Sequence, residues 1–225
     1  MRFGVLRFPG SCDEVDALEA ARKVGDAELI WHRDRDLRGA DAVIVPGGFS
    51  YGDYLRAGAI ARFSPAMESV IDFARDGGLV LGICNGFQVL CEARLLPGAL
   101  LPNVNRRFTF RQVEVEVLNA NGAFTRACTL DERLSIPAKH AWGRWYADDP
   151  TLARMEQLGQ FVLRYAPGEN FNGSLYDIAG VCNEQGNVMG LMPHPEHAVD
   201  ARRGGSEDGL KLFESMRLSV EGVRA

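Results

Sequence analysis

Cys84 lies in GGLVLGICNGFQVLCEA, residues 77–93, between Gly82 and Gly86, where an apolar run gives way to helical spacing. A thiol placed there has the setting of a nucleophile. Val80, Leu81 and Ile83 read as a buried strand, and Phe87, Val89 and Leu90 as the inner face of a helix. The join has the form of a nucleophile elbow with cysteine in place of serine. Such a turn lifts the side chain off the sheet. The helix that follows aims its first amides at the sulfur and favours the thiolate, the reactive form. The Asn85 amide is then placed to donate to an oxyanion built on the attacked carbon. Cys91 reads as a core residue of the same helix, and Cys12, Cys128 and Cys182 have no comparable setting.

A thiol nucleophile needs a base, and the base needs an orienting group. The chain has four histidines: His32, His140, His194 and His197. His194 lies in GNVMGLMPHPEH, just past an apolar run and between Pro193 and Pro195. In an extended segment Glu196 projects from the same side as His194 and can hold its imidazole in one tautomer. His140 is the second choice for the base. His194 and His197 resemble a metal pair, but no further ligand lies nearby in sequence and HPEH lacks the HExxH spacing, so no metal is expected. A third element is VPGGFSYGDYLRAGAIA, residues 45–61. Its Gly47–Gly48 bend can turn an amide toward the site as a second oxyanion donor. Losing one such donor typically costs about 3 kcal/mol in the transition state.

These residues need elements to hold them. Residues 2–8, 27–31, 40–48 and 78–83 read as strands, and 13–24 and 57–75 as helices, with Asp13 able to cap the first. Nearly continuous apolar strands fit a parallel sheet covered on both faces. The order predicts a doubly wound α/β fold whose ligands gather at the carboxyl ends of the strands. Cys84, His194 and Gly48 would all fall on that edge. The second half changes character. Residues 111–118 alternate like an antiparallel strand, and LSIPAKH, FVLRYA, DIAGVC and NVMGLM read as further short strands. A last helix is expected over 206–220, with Ser206 as cap, Glu207 and Asp208 in its first turn, and Leu210, Phe213 and Val220 facing inward. The expectation is an α/β fold over 1–225: one domain with a central, mostly parallel sheet, flanking helices and an antiparallel extension.

Composition narrows the function class. The 225 residues are 46% hydrophobic and 24% charged, enough to fill a core and stay dissolved. A net charge of −5 argues against nucleic acid as a partner. The five cysteines are odd in number and show no C-x-x-C pair, which argues against a disulfide framework. The N-terminal apolar stretch breaks at Pro9-Gly10, unlike a signal peptide, and no apolar run approaches the roughly 18 residues of a membrane span. A reducing cytoplasm is the expected compartment. The chain has no P-loop.

PGGFSYGDYLRAGAIA, GICNGFQVL, LLPGAL, NGS at 172–174 and GNVMGLMPHPE together resemble the class I glutamine amidotransferases, and within them the glutaminase subunits that serve phosphoribosylformylglycinamidine synthases. G-x-C-x-G-x-Q with a late H-P-E is general to the class, and GGFSYGDYLR narrows it. The resemblance implies that Cys84 attacks the side-chain amide of glutamine, that His194 moves the protons and that Glu196 orients His194. It implies oxyanion donors near Gly48 and at Asn85, and contact between Gln88 and the bound glutamine. It also implies ammonia transfer to an ATP-using synthase subunit that carries ATP and Mg, often with a small third subunit. The chain departs from the family pattern at Ser11, where asparagine is usual before the cysteine, and at Trp142, where an acidic residue is usual. Two rival readings are a Cys-His hydrolase working alone and a non-catalytic module that kept the fold.

Overall fold

The computed structural model describes residues 1–224. Its first half is β1 (Arg2–Arg7), α1 (Glu14–Arg22), β2 (Asp26–Trp31), β3 (Ala42–Val45), α2 (Pro65–Arg75), β4 (Leu79–Ile83) and α3 (Asn85–Glu92). Then come β5 (Ala99–Leu101), β6 (Thr109–Val117), β7 (Arg133–His140), β8 (Arg144–Tyr146), α4 (Asp149–Gln157), β9 (Phe161–Tyr165), β10 (Ile178–Cys182), β11 (Val188–Leu191), α5 (Ala201–Gly204) and α6 (Leu210–Arg224). Nine strands form one sheet in the order β2-β1-β3-β4-β11-β10-β9-β6-β7, while β5 and β8 pair separately.

The strands from β2 to β11 are parallel to their neighbours, and those from β11 to β7 are antiparallel. The central strands β3, β4 and β11 are buried along their whole length, as their apolar runs require. β11 is last in sequence yet lies directly beside β4, with Leu191 opposite Ile83. The Cys84 amide donates to the Leu191 carbonyl at 2.8 Å. This pairing sets the two ends that carry Cys84 and His194 side by side.

Several boundaries differ from the sequence expectation. The helix expected over 57–75 begins only at Pro65. Ser64 is extended and its hydroxyl accepts from the Met67 amide, while Pro65 fixes the first turn. Residues before it form a loop with a short 3-10 turn, Ala61–Phe63. At Gly58, φ is +78°, and a β-carbon would press on the backbone of Gln88 and Val89 in α3. The expected cap of the last helix also differs. That helix starts at Leu210, and the Ser206 hydroxyl instead donates to the Ser135 carbonyl. Asp208 accepts from the Ser135 amide at 2.8 Å, so this segment is tied to β7. Phe213 is buried, and Leu210 and Val220 pack against the core as expected.

The glycines at the elbow permit close backbone packing. A β-carbon at Gly86 would overlap the Val45 carbonyl of β3, and one at Gly82 would meet the Gly86 backbone at 2.8 Å. Neither partner is a flexible side chain. Gly86→Ala should therefore lower stability by on the order of 1–3 kcal/mol, read as a fall in the urea midpoint at unchanged slope.

Candidate active site

Cys84 takes φ +51° and ψ −104° between the last residue of β4 and the first of α3. A non-glycine residue held there is strained by about 1–3 kcal/mol, as at other functional turns. The strain lifts the sulfur off the sheet edge toward the amino terminus of α3, whose first N–H groups have no partner within the helix. Sγ lies 3.9 Å from the Lys139 carbonyl of β7. The residue is only 6% exposed, so the thiol that the turn lifts off the sheet is enclosed.

His194 is buried beside it. Its Nδ1 and the Glu196 carboxylate are 2.6 Å apart. Its Nε2 has no other hydrogen-bond partner among the described residues and has the Cys84 thiol beside it, which leaves it available for proton transfer. Burial opposes a charge on this ring, but Glu196 and Cys84 both favour the imidazolium and raise its pKa. The pairing of His194 with Glu196 is as expected, but the extended segment is not. Pro195–His197 form a 3-10 turn, and that turn brings the carboxylate round to the ring. The reason is proline: Pro195 has a fixed φ suited to the first position of such a turn.

Gly48 follows β3 with φ +143°, and a β-carbon there would overlap the Cys12 amide and the Gly10 carbonyl. Gly48 and Ser11 form an isolated antiparallel bridge. Its two bonds run from the Cys12 amide to Gly47 and from the Phe49 amide to Gly10, so the Gly48 amide is not used in it. Asn85 fastens the loop to α3. Its Oδ1 accepts from the Ser50 amide at 3.0 Å, and its Nδ2 donates to Gln88 Oε1 at 2.8 Å and to Asp53 Oδ1 at 3.3 Å. Gln88 Nε2 donates to the Trp142 carbonyl at 2.6 Å. The amide of Gln88 thus holds the 141–143 segment over the helix. Trp142 contributes its backbone here, so the departure in side chain costs this contact nothing.

Burial pushes the Asp53 carboxyl up to about 6, against the opposing Asn85 bond. Folding therefore holds its proton above the ordinary carboxylate range. The stability this contributes is present below the unfolded value near 4 and lost as pH rises through about 6. Relative to Asp53→Asn, the wild type should lose stability between those pH values, as measured by urea midpoints across that range.

The other histidines are elsewhere engaged. His140 Nδ1 is 3.1 Å from Asn103 Oδ1, its ring stacks on Phe171, and burial pulls its pKa down to about 3. A ring with so low a pKa is a weak proton acceptor, and its Nδ1 is held by Asn103, which makes it a poor second choice for the base. His32 pairs with the Tyr51 hydroxyl at 2.7 Å. Asp13, read from the sequence as a helix cap, makes no capping bond. It lies instead within 3.6 Å of His194 Nδ1 and accepts from Lys139 and His197. Its only sequence signal was its place after the first strand, on the edge where ligands gather.

Asp13, His194, Glu196 and His197 bring four potential metal-ligand atoms within 4.8 Å of one another. The sequence shows no third or fourth ligand near the two histidines, and the fold supplies them. The Lys139 ammonium at 2.5 Å from Asp13 already neutralises this group, and the Nδ1 of His194 is engaged by Glu196.

Among the described residues, no helix is long and apolar enough to cross a membrane. A family model described as a CobB/CobQ-like glutamine amidotransferase domain matches residues 1–217. The chain is 56% identical over 216 residues to the phosphoribosylformylglycinamidine synthase subunit PurQ of Mycobacterium tuberculosis, covering 95% of each. It superposes on a chain of the Thermotoga maritima PurLQS structure with TM-score 0.88 and 42% identity, covering 96% of both. A second Thermotoga maritima structure, a glutamine amidotransferase at 18% identity and TM-score 0.62, shares the fold.

Proposed function

Because the chain belongs to the CobB/CobQ-like glutamine amidotransferase family, we propose that Cys84, His194 and Glu196 form its glutaminase triad. The chain acts as the glutaminase subunit of a phosphoribosylformylglycinamidine synthase in purine biosynthesis. The observation that supports the triad is the parallel pairing of β11 with β4, because the buried His194–Glu196 pair follows β11 and the elbow cysteine follows β4.

Cys84 Sγ forms a bond to the side-chain carbonyl carbon of glutamine, and His194 Nε2 takes the thiol proton. The oxyanion is held by the amides of Asn85, at a helix start, and of Gly48, which takes no part in the bonds of the Ser11–Gly48 bridge. His194 returns its proton to the leaving nitrogen, the carbon–nitrogen bond breaks, and ammonia departs. Water then attacks the γ-glutamyl thioester, with His194 as base, to give glutamate and free thiol. Gln88, in the first turn of α3, contacts the bound glutamine. A cavity of about 180 Å³ opens on the far side of Gln88, with Arg56, Arg62 and Glu92 on its walls and neither Cys84 nor His194 among its lining residues.

The chain, 1–225, works as one amidotransferase domain in the cytoplasm. ATP and Mg are used by a separate synthase subunit, which receives the ammonia and converts formylglycinamide ribonucleotide to formylglycinamidine ribonucleotide. A small third subunit completes the complex. The Thermotoga maritima relative, solved as PurLQS, supports both partners, since that name sets two further components beside Q. Exposed Phe49 lies 6.5 Å from exposed Phe108, and Phe110 is exposed beyond it on β6, an aromatic patch suited to docking. The enclosed thiol fits an enzyme that needs docking to admit substrate.

Glutamate release from glutamine, with and without the synthase, tests this reading. Turnover should be weak alone and rise several-fold or more on docking. Full turnover without any second protein would favour a lone hydrolase.

A further inference from the structure

We propose that Asp13 is a positioning residue of the glutaminase reaction: through Lys139 and His197 it clamps the 194–197 turn to β7 and holds the His194 ring facing Cys84. This rests on the assignment of Cys84 and His194 given above.

Asp13 comes from the loop after β1, Lys139 from the end of β7, and His194 and His197 from the turn after β11. The Asp13 carboxylate is 4% exposed. Oδ1 accepts from Lys139 Nζ at 2.5 Å and from His197 Nε2 at 3.2 Å, and Oδ2 lies 3.6 Å from His194 Nδ1. An aspartate at a helix start ordinarily caps it. Asp13 turns away from α1 to serve these three groups. Gly47 makes room for the arrangement, since a β-carbon there would overlap Asp13 Oδ2 and press on the His194 ring.

A carboxylate buried to this degree persists only when well paired. Burial alone would raise its pKa, but the His197 bond, His194 and Lys139 hold it well below the carboxylate range. Its charge also separates like charges. Without it, the Lys139 ammonium would face a His194 imidazolium with Glu196 alone to balance them. Lys139 links both halves of the site, because its carbonyl faces Cys84 Sγ while its ammonium holds Asp13. On the outer side of the cluster a cavity of about 620 Å³ opens, with Lys139, Glu196 and His197 on its wall beside Asp16, Asp200 and Arg203.

Glu14 pairs with Arg7 at 3.2 Å, burial raises the pKa of the Cys12 thiol so that it stays neutral, and His140 is neutral by burial. Glu196 and Cys84 face His194 directly. Among these groups the Asp13 carboxylate is thus the one paired with the Lys139 ammonium, while His197 Nε2 lies 3.2 Å from Asp13 Oδ1 and 3.7 Å from Glu196 Oε1.

The test measures glutamine-dependent and ammonium-dependent synthesis against pH in the assembled complex, for wild type, Asp13→Asn, Asp13→Glu, Lys139→Met and Cys84→Ala. Asp13→Asn should lower kcat with glutamine by about 10–100-fold, as for a residue one step behind a catalytic group. KM for glutamine and ammonium-dependent synthesis should stay in place. Removing a negative charge disfavours the imidazolium, so the alkaline limb of the glutamine profile should move to lower pH. Removing the Lys139 cation should move it the other way, and Asp13→Glu should restore part of the rate. A purely structural role would not produce opposite shifts. An unmoved limb in Asp13→Asn, or a loss carried by KM or shared with ammonium-dependent synthesis, overturns the proposal. Should Asp13→Asn not fold, the Lys139→Met limb decides: displaced upward it supports the clamp, unmoved it overturns it. Cys84→Ala separates the two levels, since glutamine turnover surviving in that variant would sink the triad itself.

Discussion

Cys84→Ala should lose glutamine-dependent synthesis by at least about 10⁴-fold while ammonium-dependent synthesis by the same complex continues. The size follows from removing the atom that forms the covalent bond, because losing the nucleophile of such a triad costs nearly as much as losing the whole set. The variant should stay folded. Alanine removes one sulfur from a residue strained at φ +51°, and the bond from residue 84's amide to the Leu191 carbonyl is unaffected. Ammonium salts supply the nitrogen that glutamine no longer yields, so rescue reports on the partner's half of the reaction. An electrophilic glutamine analogue should label the wild type at Cys84 and leave the variant unmodified. Rescue without any initial loss would show that glutamine is cleaved elsewhere.

Glu196→Gln should reduce glutamine turnover on the order of 10³–10⁴-fold, by analogy with an amide in place of the carboxylate in a serine triad. Glu196 Oε1 accepts a hydrogen bond from His194 Nδ1–H at 2.6 Å and leaves Nε2 as the acceptor that faces the thiol. An amide can present its NH₂ group to Nδ1 and reverse the tautomer, which puts a proton where the base must accept one. It also removes the main charge that favours the imidazolium, so the raised His194 pKa should fall toward the ordinary range. Stability should fall in part, because the variant removes the charge that raises the His194 pKa; the stability linked to that raised value is present below about 6.5 and is lost as pH rises through about 10. The signature is lost turnover in a variant that still unfolds cooperatively. Loss of cooperative unfolding would point to collapse of the 194–197 turn instead.

The fold was legible where local rules act without competition. Apolar runs at 42–45 and 79–83 have no alternative but a doubly covered strand, and the glycines around Cys84 announce a tight strand-to-helix join. The motif GICNGFQVL and the late HPE segment carried the family, and the comparisons agree with it. Boundaries were less legible. Alanine- and glycine-rich 57–63 has helical composition, yet Gly58 must pass against α3 and Ser64-Pro65 resets the chain, so the helix begins later. Ser206 has the type of a cap, but a neighbouring strand offered it a better acceptor.

What the sequence determined by itself is the chemistry of the parts: a cysteine at a glycine-flanked turn, a histidine set between prolines, and a glutamate two residues on. Those depend on residue type and short spacing, which local sterics translate directly into backbone shape. Tertiary structure alone decided which parts meet. The pairing of β11 with β4 joins residues more than a hundred positions apart, and no local preference encodes that register. The conversion of Asp13 from apparent helix cap to partner of Lys139 and His197 was decided in the same way. A carboxylate bonds to whatever donors the fold brings within about 3 Å, and those donors come from strands far away in the chain.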